Sequence, residues 1–205
     1  MSEIAAVILA AGRSARFRAE GGQEISKLAA LLDGKPLVRH AAEAALASRA
    51  RPVVVVTGYA RREVEAALAG LPLAFVDNPD FASGMASSLK AGVAALPADV
   101  AGALIVLGDM PRVEGATLDR LIEAFAARSD ALAAAPMHAG RRGNPVLLSR
   151  ALLAALARLE GEEGARRLLG EVGPGSVVDV QVESDGVTFD IDTPSELAAA
   201  RGLRG

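Results

Sequence analysis

The chain has 205 residues, 51% of them hydrophobic and 23% charged, a formal net charge of −3 and no cysteine. So much apolar material argues against disorder, and a weakly acidic balance with 3% aromatics excludes a nucleic-acid surface of clustered cations and stacking rings. Without cysteine there are no disulfides, thiolate metal sites or cysteine nucleophiles; no apolar run is long enough for a membrane span, and no N-terminal segment pairs a basic start with a long apolar run, so no signal peptide is expected and a single soluble domain over residues 1–205, in the cytoplasm, is.

The first element is the apolar run Ala5–Ala11. Pro52–Thr57 and Ala103–Leu107 share its character: short, aliphatic and without polar alternation. Such runs are strands buried on both faces of a parallel sheet. Weaker strand candidates are Leu73–Val76, Leu132–Ala135, Pro145–Leu148 and Ser176–Val182. Helical patterns lie between them, at Leu37–Ala47, Arg61–Leu68, Ser87–Leu96, Thr117–Ala127 and Leu152–Leu159. Strand and helix alternate most clearly over the first 110 residues, which predicts a layered α/β fold; the later strands are irregular enough to include antiparallel ones. Arg18–Ser26 and Ala139–Asn144 read as mobile loops.

In an open α/β sheet ligands bind beyond the carboxyl ends of the strands, so the residues that follow each strand carry the functional signal. After the first strand comes Ala11-Gly12-Arg13-Ser14-Ala15-Arg16. Small residues let the backbone approach a ligand, Gly12 is free to take a positive φ, and consecutive N–H groups there form an anion nest. Arg13 and Arg16 add charge suited to phosphate oxygens. The glycines of a dinucleotide fingerprint are missing. A P-loop is excluded too, because Lys27-Leu28 stands where Gly-Lys-Ser/Thr would be required. Lys27 is readable either as a surface lysine or as a point charge on a polyphosphate.

The second strand ends in Thr57-Gly58-Tyr59, a turn with a structural role and a backbone available to a ligand. After the next comes Asp77-Asn78-Pro79-Asp80-Phe81-Ala82-Ser83-Gly84-Met85, where a helix is expected to start near Ser83–Ser87, its hydroxyls capping the end or holding an anion. The strand Ala103–Leu107 ends in Gly108-Asp109-Met110-Pro111. A carboxylate in that position suits Mg²⁺, which takes one or two carboxylates together with waters and phosphates. Near the C-terminus, Thr193 and Glu196 form a capping box with Pro194 at the first helical position. Asp190 and Asp192 lie on one side of an extended segment around Ile191, and two such carboxylates repel unless a cation lies near. Asp192 is the first candidate for a second metal ligand. His40 reads as structural, and His138 is given no role.

Taken in series, these stretches resemble the nucleotidyltransferases, and among them the molybdenum cofactor cytidylyltransferases and their close relatives. The resemblance is carried by Leu9-Ala10-Ala11-Gly12-x-Ser14-x-Arg16, Lys27-Leu28, Thr57-Gly58-Tyr59, Asn78 through Met85, Gly108-Asp109-Met110-Pro111, Gly140-Arg141-Arg142-Gly143-Asn144-Pro145 and Asp190-Ile191-Asp192-Thr193-Pro194. It implies a Rossmann-like, mostly parallel sheet with helices on both faces, of the nucleotide-diphospho-sugar transferase type. It implies a nucleotide held by Leu9, Ala10, Ala11, Gly12, Arg13, Ser14, Arg16, Lys27, Gly58, Asn78, Ser83, Gly84, Ser88 and Asp109. Arg16, Lys27 and Asp109 would be catalytic, and Asp109 and Asp192 would hold Mg²⁺. Two departures stand out: the family usually continues Arg-Met-Gly where this chain has Arg16-Phe17-Arg18, and the stretch from there to Lys27 is longer than usual.

The implied reaction transfers a cytidylyl group from CTP to the phosphate of molybdopterin, with a molybdoenzyme or its chaperone as the protein partner. CTP is preferred because Leu-Ala-Ala-Gly carries one methyl more, at Ala11, than the Leu-Ala-Gly-Gly of guanylyltransferases, worth about 1 kcal/mol in a base pocket. The alternatives are a GTP-using or other-acceptor nucleotidyltransferase of the same superfamily, and a non-catalytic nucleotide- or partner-binding module.

Overall fold

In the computed structural model, which describes residues 3–173 and 175–202, strand β1 (Ile4–Ala10) is the centre of the fold. Its side chains alternate between two cores. Ile4, Ala6, Ile8 and Ala10 enter one, Ala5 and Val7 the other, and Ala5–Ile8 have no exposed surface. A strand with apolar residues on both sides needs helices over both faces, and they are present. Helices α2 (Leu37–Ala47), α3 (Arg61–Ala67) and α5 (Gly115–Ala126) pack on the first side. Helices α4 (Met85–Ala94), α6 (Arg150–Ala155) and α7 (Arg166–Glu171) pack on the second. A short α1 (Ala15–Ala19) follows β1, and α8 (Pro194–Gly202) ends the chain. Gly92 lets α4 lie close on the sheet, since a Cβ there would fall 2.4 Å from a methyl of Val7.

The main sheet also contains β4 (Val53–Thr57), β5 (Ala74–Asp77), β6 (Gly102–Leu107), β7 (Ala133–His138), β9 (Val146–Ser149) and β10 (Val177–Gln181), in the order β10-β7-β9-β6-β1-β4-β5. Pairing is parallel from β6 through β1 and β4 to β5, and antiparallel where β9 lies between β6 and β7. The chain builds outward from β1 to β5, then returns through α4 to place β6 on the other side of β1. The strand order therefore reverses between β1 and β6, and the loops leaving their carboxyl ends diverge to form a crevice. The expectation of a mostly parallel Rossmann-like sheet with an antiparallel component in the second half is met.

Four segments differ from the sequence reading. Arg18–Ser26 is not wholly loop, because Arg18 and Ala19 belong to α1 and Ser26 is buried, capping a 3₁₀ turn at Lys27–Ala29. Leu152–Leu159 is not one helix: α6 occupies Arg150–Ala155 and a 3₁₀ turn takes Leu156–Arg158. Ala139–Asn144 is not wholly loop, because β8 (Arg141–Arg142) pairs with β7 and Arg142 is ion-paired to Asp179 at 2.6 Å. A small hairpin, β2 (Leu31–Leu32) with β3 (Lys35–Pro36), turns through Asp33 and Gly34, both at positive φ as an Asp-Gly turn requires. Among the described residues no helix is long and apolar enough to cross a membrane.

Candidate functional site

A cavity of about 670 Å³ opens at the reversal point, floored by Leu9 and Leu107 at the ends of β1 and β6. On one side the chain leaves β1 through Ala11–Ser14. Gly12 is not the residue with positive φ; Ser14 is, at φ 51° and ψ 37°, and a Cβ on Gly12 would meet nothing within 4 Å. The freedom assigned to glycine thus belongs to Ser14, and Gly12 instead leaves open space beside the backbone. Ser14 also ties two segments together, because its hydroxyl accepts from the Lys27 backbone N–H at 3.1 Å. Phe17, the departure from Arg-Met-Gly, is 1% exposed and anchors α1 below the loop.

On the other side, β6 ends in Gly108, whose N–H donates to the Leu9 carbonyl at 3.1 Å and carries the β1–β6 pairing one residue further. Asp109 follows. Its backbone carbonyl accepts from Ile191 N–H at 3.1 Å, which fastens the C-terminal segment beside it, while Ile191 itself is fully buried. The predicted capping box then forms. Thr193 Oγ1 accepts from Glu196 N–H at 3.2 Å, and the Glu196 carboxylate accepts from the N–H groups of Asp192 and Thr193 at 2.8 and 2.9 Å.

These constraints bring four charges together. The Lys27 ammonium donates to Asp109 Oδ2 at 2.7 Å and to Asp192 Oδ1 at 2.5 Å, and Arg16 reaches Asp192 Oδ2 at 2.7 Å. Lys27 is the cation shared by Asp109 and Asp192, not by the Asp190–Asp192 pair for which the sequence led one to expect it. The longer stretch before it delivers its side chain to the acidic pair. Burial alone would lower the Lys27 pKa, but the neighbouring Asp109 and Asp192 outweigh it and hold the ammonium above its ordinary value. Burial likewise pushes Asp192 up, and the hydrogen bond and charge of Lys27, with Arg16, overcome it and hold the carboxyl low. Asp190 is raised, first by burial and then by the charges of Asp109 and Asp192. Arg16 has a side chain 74% exposed. An exposed pair contributes at most about 1 kcal/mol, so its guanidinium can leave for a phosphate at little cost.

The residues fit a divalent cation. Asp109 Oδ1 is shielded from solvent with no hydrogen-bond partner, an acceptor left unsatisfied by the protein. Among the described residues no group of three or more His, Cys, Asp or Glu side chains forms a cage. A hard cation that keeps waters and is shared with phosphates needs only one or two carboxylates.

Of the sequence-predicted residues, Leu9, Ala11, Gly12, Arg13, Ser14, Arg16, Lys27, Gly84, Ser88, Asp109 and Asp192 line the cavity. Ala10, Gly58, Asn78 and Ser83 do not. Ala10 is 2% exposed and belongs to the core. Gly58 backs the β1 loop, since a Cβ on it would lie 2.9 Å from Ala11 Cβ. Asn78 is a brace: its amide donates to Ser87 and Ser88 hydroxyls at 2.9 and 3.0 Å, and its carbonyl accepts from Asp80 N–H. Asn78→Ala should cost about 1–3 kcal/mol in urea denaturation, because buried polar partners lose their bonds. Ser83 and Ser87 do not cap α4 as expected; both hydroxyls donate to carbonyls, of Asp80 and Gly84, while Ala86 N–H is taken by the Gly161 carbonyl at 3.0 Å.

Ala15, Leu28, Phe81, Ala82, Met85 and Leu107, which lie within stretches already singled out, also line the cavity, and so does Glu162, which the sequence reading passed over. Phe81 is stiffened by an edge contact with Tyr59, centroids 5.9 Å apart, and Arg18 stacks over that tyrosine at 4.9 Å. Glu162 had no local signal, since it arrives from a segment between α6 and α7.

The chain is 34% identical over 180 residues to the bifunctional protein GlmU of Leifsonia xyli subsp. xyli, a match covering 85% of this chain and 36% of that protein, so it spans about a third of that relative's length. It is 30% identical over 151 residues to the molybdenum cofactor cytidylyltransferase of Escherichia coli strain K12, 73% of each chain. Among solved structures, Rv0371c from Mycobacterium tuberculosis H37Rv superposes with a TM-score of 0.83 at 27% identity over 98% of each chain, and its complex with manganese with a TM-score of 0.78 at 25% identity over 98% of this chain and 99% of that one. Residues 6–177 match the MobA-like NTP transferase domain, and the chain belongs to that family of nucleotidyltransferases.

Proposed function

We propose that the protein transfers the cytidylyl group of CTP to the terminal phosphate of molybdopterin and releases pyrophosphate. The observation that carries this reading is the meeting of Arg16, Lys27, Asp109 and Asp192 beside the loop leaving β1, in one cavity. The similarity to the E. coli cytidylyltransferase supports the choice of CTP and of the acceptor.

The acceptor phosphate oxygen forms a bond to the α-phosphorus of CTP as the bond from that phosphorus to the bridging β-oxygen breaks, and its electron pair leaves with pyrophosphate. The nucleophile is already an anion, so no general base is required. Lys27, held protonated by its two carboxylates, acts as a fixed cation and not as a proton donor. Arg16 leaves its exposed pairing for a phosphate oxygen. The backbone at Gly12 lies open to the triphosphate. Asp109 and Asp192 would hold Mg²⁺, which when bound neutralises triphosphate and leaving-group charge. Catalysis is then positioning and electrostatic neutralisation. A cytoplasmic setting and delivery of product to a molybdoenzyme or its chaperone accompany this reading.

Calorimetric titration with CTP and with GTP, each with Mg²⁺, tests it. CTP should bind about fivefold more tightly than GTP if the Ala11 methyl alone discriminates, and Ala11→Gly should narrow the gap. EDTA should weaken both. Pyrophosphate release with CTP should depend on molybdopterin. Equal or stronger binding of GTP overturns the cytidylyl assignment. Release that requires a sugar phosphate in place of molybdopterin overturns the acceptor.

A further inference from the structure

Glu162 stands apart from the charges already described. It lines the same cavity as Arg16 and Lys27 yet pairs with neither, and among the described residues it has no ion pair or hydrogen-bonded partner for its carboxylate. Its neighbour Glu163 is turned away and engaged, bonding Arg167 at 2.6 Å and accepting from Glu160 N–H at 3.1 Å.

The turn that presents Glu162 is fixed in place. Gly161 has a φ of +55°, and its carbonyl accepts from Ala86 N–H at 3.0 Å at the start of α4. Gly84, at φ +109°, is required twice: its backbone is left-handed, and a Cβ would fall 2.2 Å from the Gly161 carbonyl oxygen. A Cβ on Gly164 would lie 3.0 Å from Met85 Sδ. The turn is thus held against the beginning of α4, and the exposed Glu162 side chain lines the cavity together with Phe81 and Met85.

Asp109 and Asp192 share Lys27 and Arg16 with the phosphates, whereas a carboxylate that pairs with neither cation repels phosphates and must face another part of the substrate. It has acceptors only, so its partner is a donor. The adjoining Phe81 and Met85 suit the face of a flat ring. We infer that Glu162 is a specificity-determining residue that accepts hydrogen bonds from the amino edge of a nitrogen heterocycle. Two substrates of the proposed reaction offer that chemistry: cytosine, through its exocyclic amine, and the pterin of the acceptor, through its amino group and ring N–H. The inference rests on the cytidylyl-transfer reading and adds a recognition element to it.

The test compares wild type with Glu162→Gln and Glu162→Ala. Binding of CTP and of UTP, each with Mg²⁺, is measured by calorimetry, and KM for molybdopterin is measured at saturating nucleotide. Uracil has a carbonyl oxygen where cytosine has its amine, so a carboxylate disfavours UTP and a glutamine amide tolerates it. If the base is read, Glu162→Gln weakens CTP about tenfold, strengthens UTP and collapses the preference. If the pterin is read, CTP binding is unchanged and KM for molybdopterin rises about tenfold. Either result supports the inference and identifies the source. Unchanged nucleotide binding together with unchanged KM in both variants overturns it. Failure of the underlying reading is visible separately, as wild-type protein that does not bind CTP; should wild type take GTP, the amino edge of guanine replaces that of cytosine in the same comparison.

Discussion

Replacing Asp109 with alanine should lower kcat by a factor of about 10²–10³ or more, with the fold retained. The backbone at this position is secured independently of the side chain, by the Gly108 N–H on Leu9 and the Ile191 N–H on the Asp109 carbonyl. Lys27 keeps Asp192 as a partner at 2.5 Å, so no buried charge is orphaned. The change also removes Oδ1, an unsatisfied buried acceptor of the kind that costs about 1–3 kcal/mol, which offsets part of the lost ion pair. Circular dichroism and the urea midpoint should therefore stay near wild type while turnover collapses. Asp109→Asn separates charge from shape and should be about as inactive. Asp119→Asn, on α5 in an exposed pairing with Arg49, is the control and should leave turnover unchanged. Full activity of Asp109→Ala at saturating Mg²⁺ would sink the role given to this carboxylate.

The half of the fold built from β1, β4 and β6 was legible because those strands are buried on both faces and read as unbroken apolar runs. Helix α2 was found with its observed bounds, Leu37–Ala47, because its alanines and leucines recur with a helical period. The short helix α7 and the two-residue strands gave no comparable signal. Residues 166–171 hold two arginines, two leucines, a glycine and a glutamate, too few to establish a period, and their helix is stabilised by the burial of Leu168 and Leu169.

The candidate site was legible wherever a strand end exposed chemistry, as at Gly12, Arg16 and Asp109. Its internal wiring was not. Lys27 binding both carboxylates depends on three segments separated by 82 and 165 residues. Asn78 and Ser83 sit in a stretch that does flank the cavity, but their side chains are spent on bracing the turn before α4. Glu162 was invisible because its loop reaches the cavity through contacts distant in the chain, of Gly161 with Gly84 and Ala86 and of Gly164 with Met85. Spacing along the chain reports which strand end a residue follows; it carries no information on which loop from the other half closes over it.

A large loss of stability is expected from Phe17→Ala. The ring is 1% exposed and sits in a small cluster with Ala30, Leu32, Leu37, Ile191, Leu197 and Ala200, separate from the two cores on either side of the sheet. A cluster this small has little material with which to collapse around a void, so the loss should be about 3–5 kcal/mol, a fall in Tm of roughly 6–20 °C. Phe17→Met, which restores the residue usual in the family, nearly conserves volume and should cost under about 1.5 kcal/mol. The cluster also has a positional role: Phe17 is the neighbour of Arg16 and Ile191 the neighbour of Asp192, so a single buried cluster backs two members of the charged group. Phe17→Ala should therefore lower kcat/KM even at temperatures where the protein is fully folded. Leu121→Ala, in the core beneath α5 and away from the cavity, should lose comparable stability and keep its kcat/KM. Two variants equally destabilised but unequal in activity would establish that the Phe17 cluster holds the site in register. Equal kcat/KM in the two would reduce it to an ordinary piece of core.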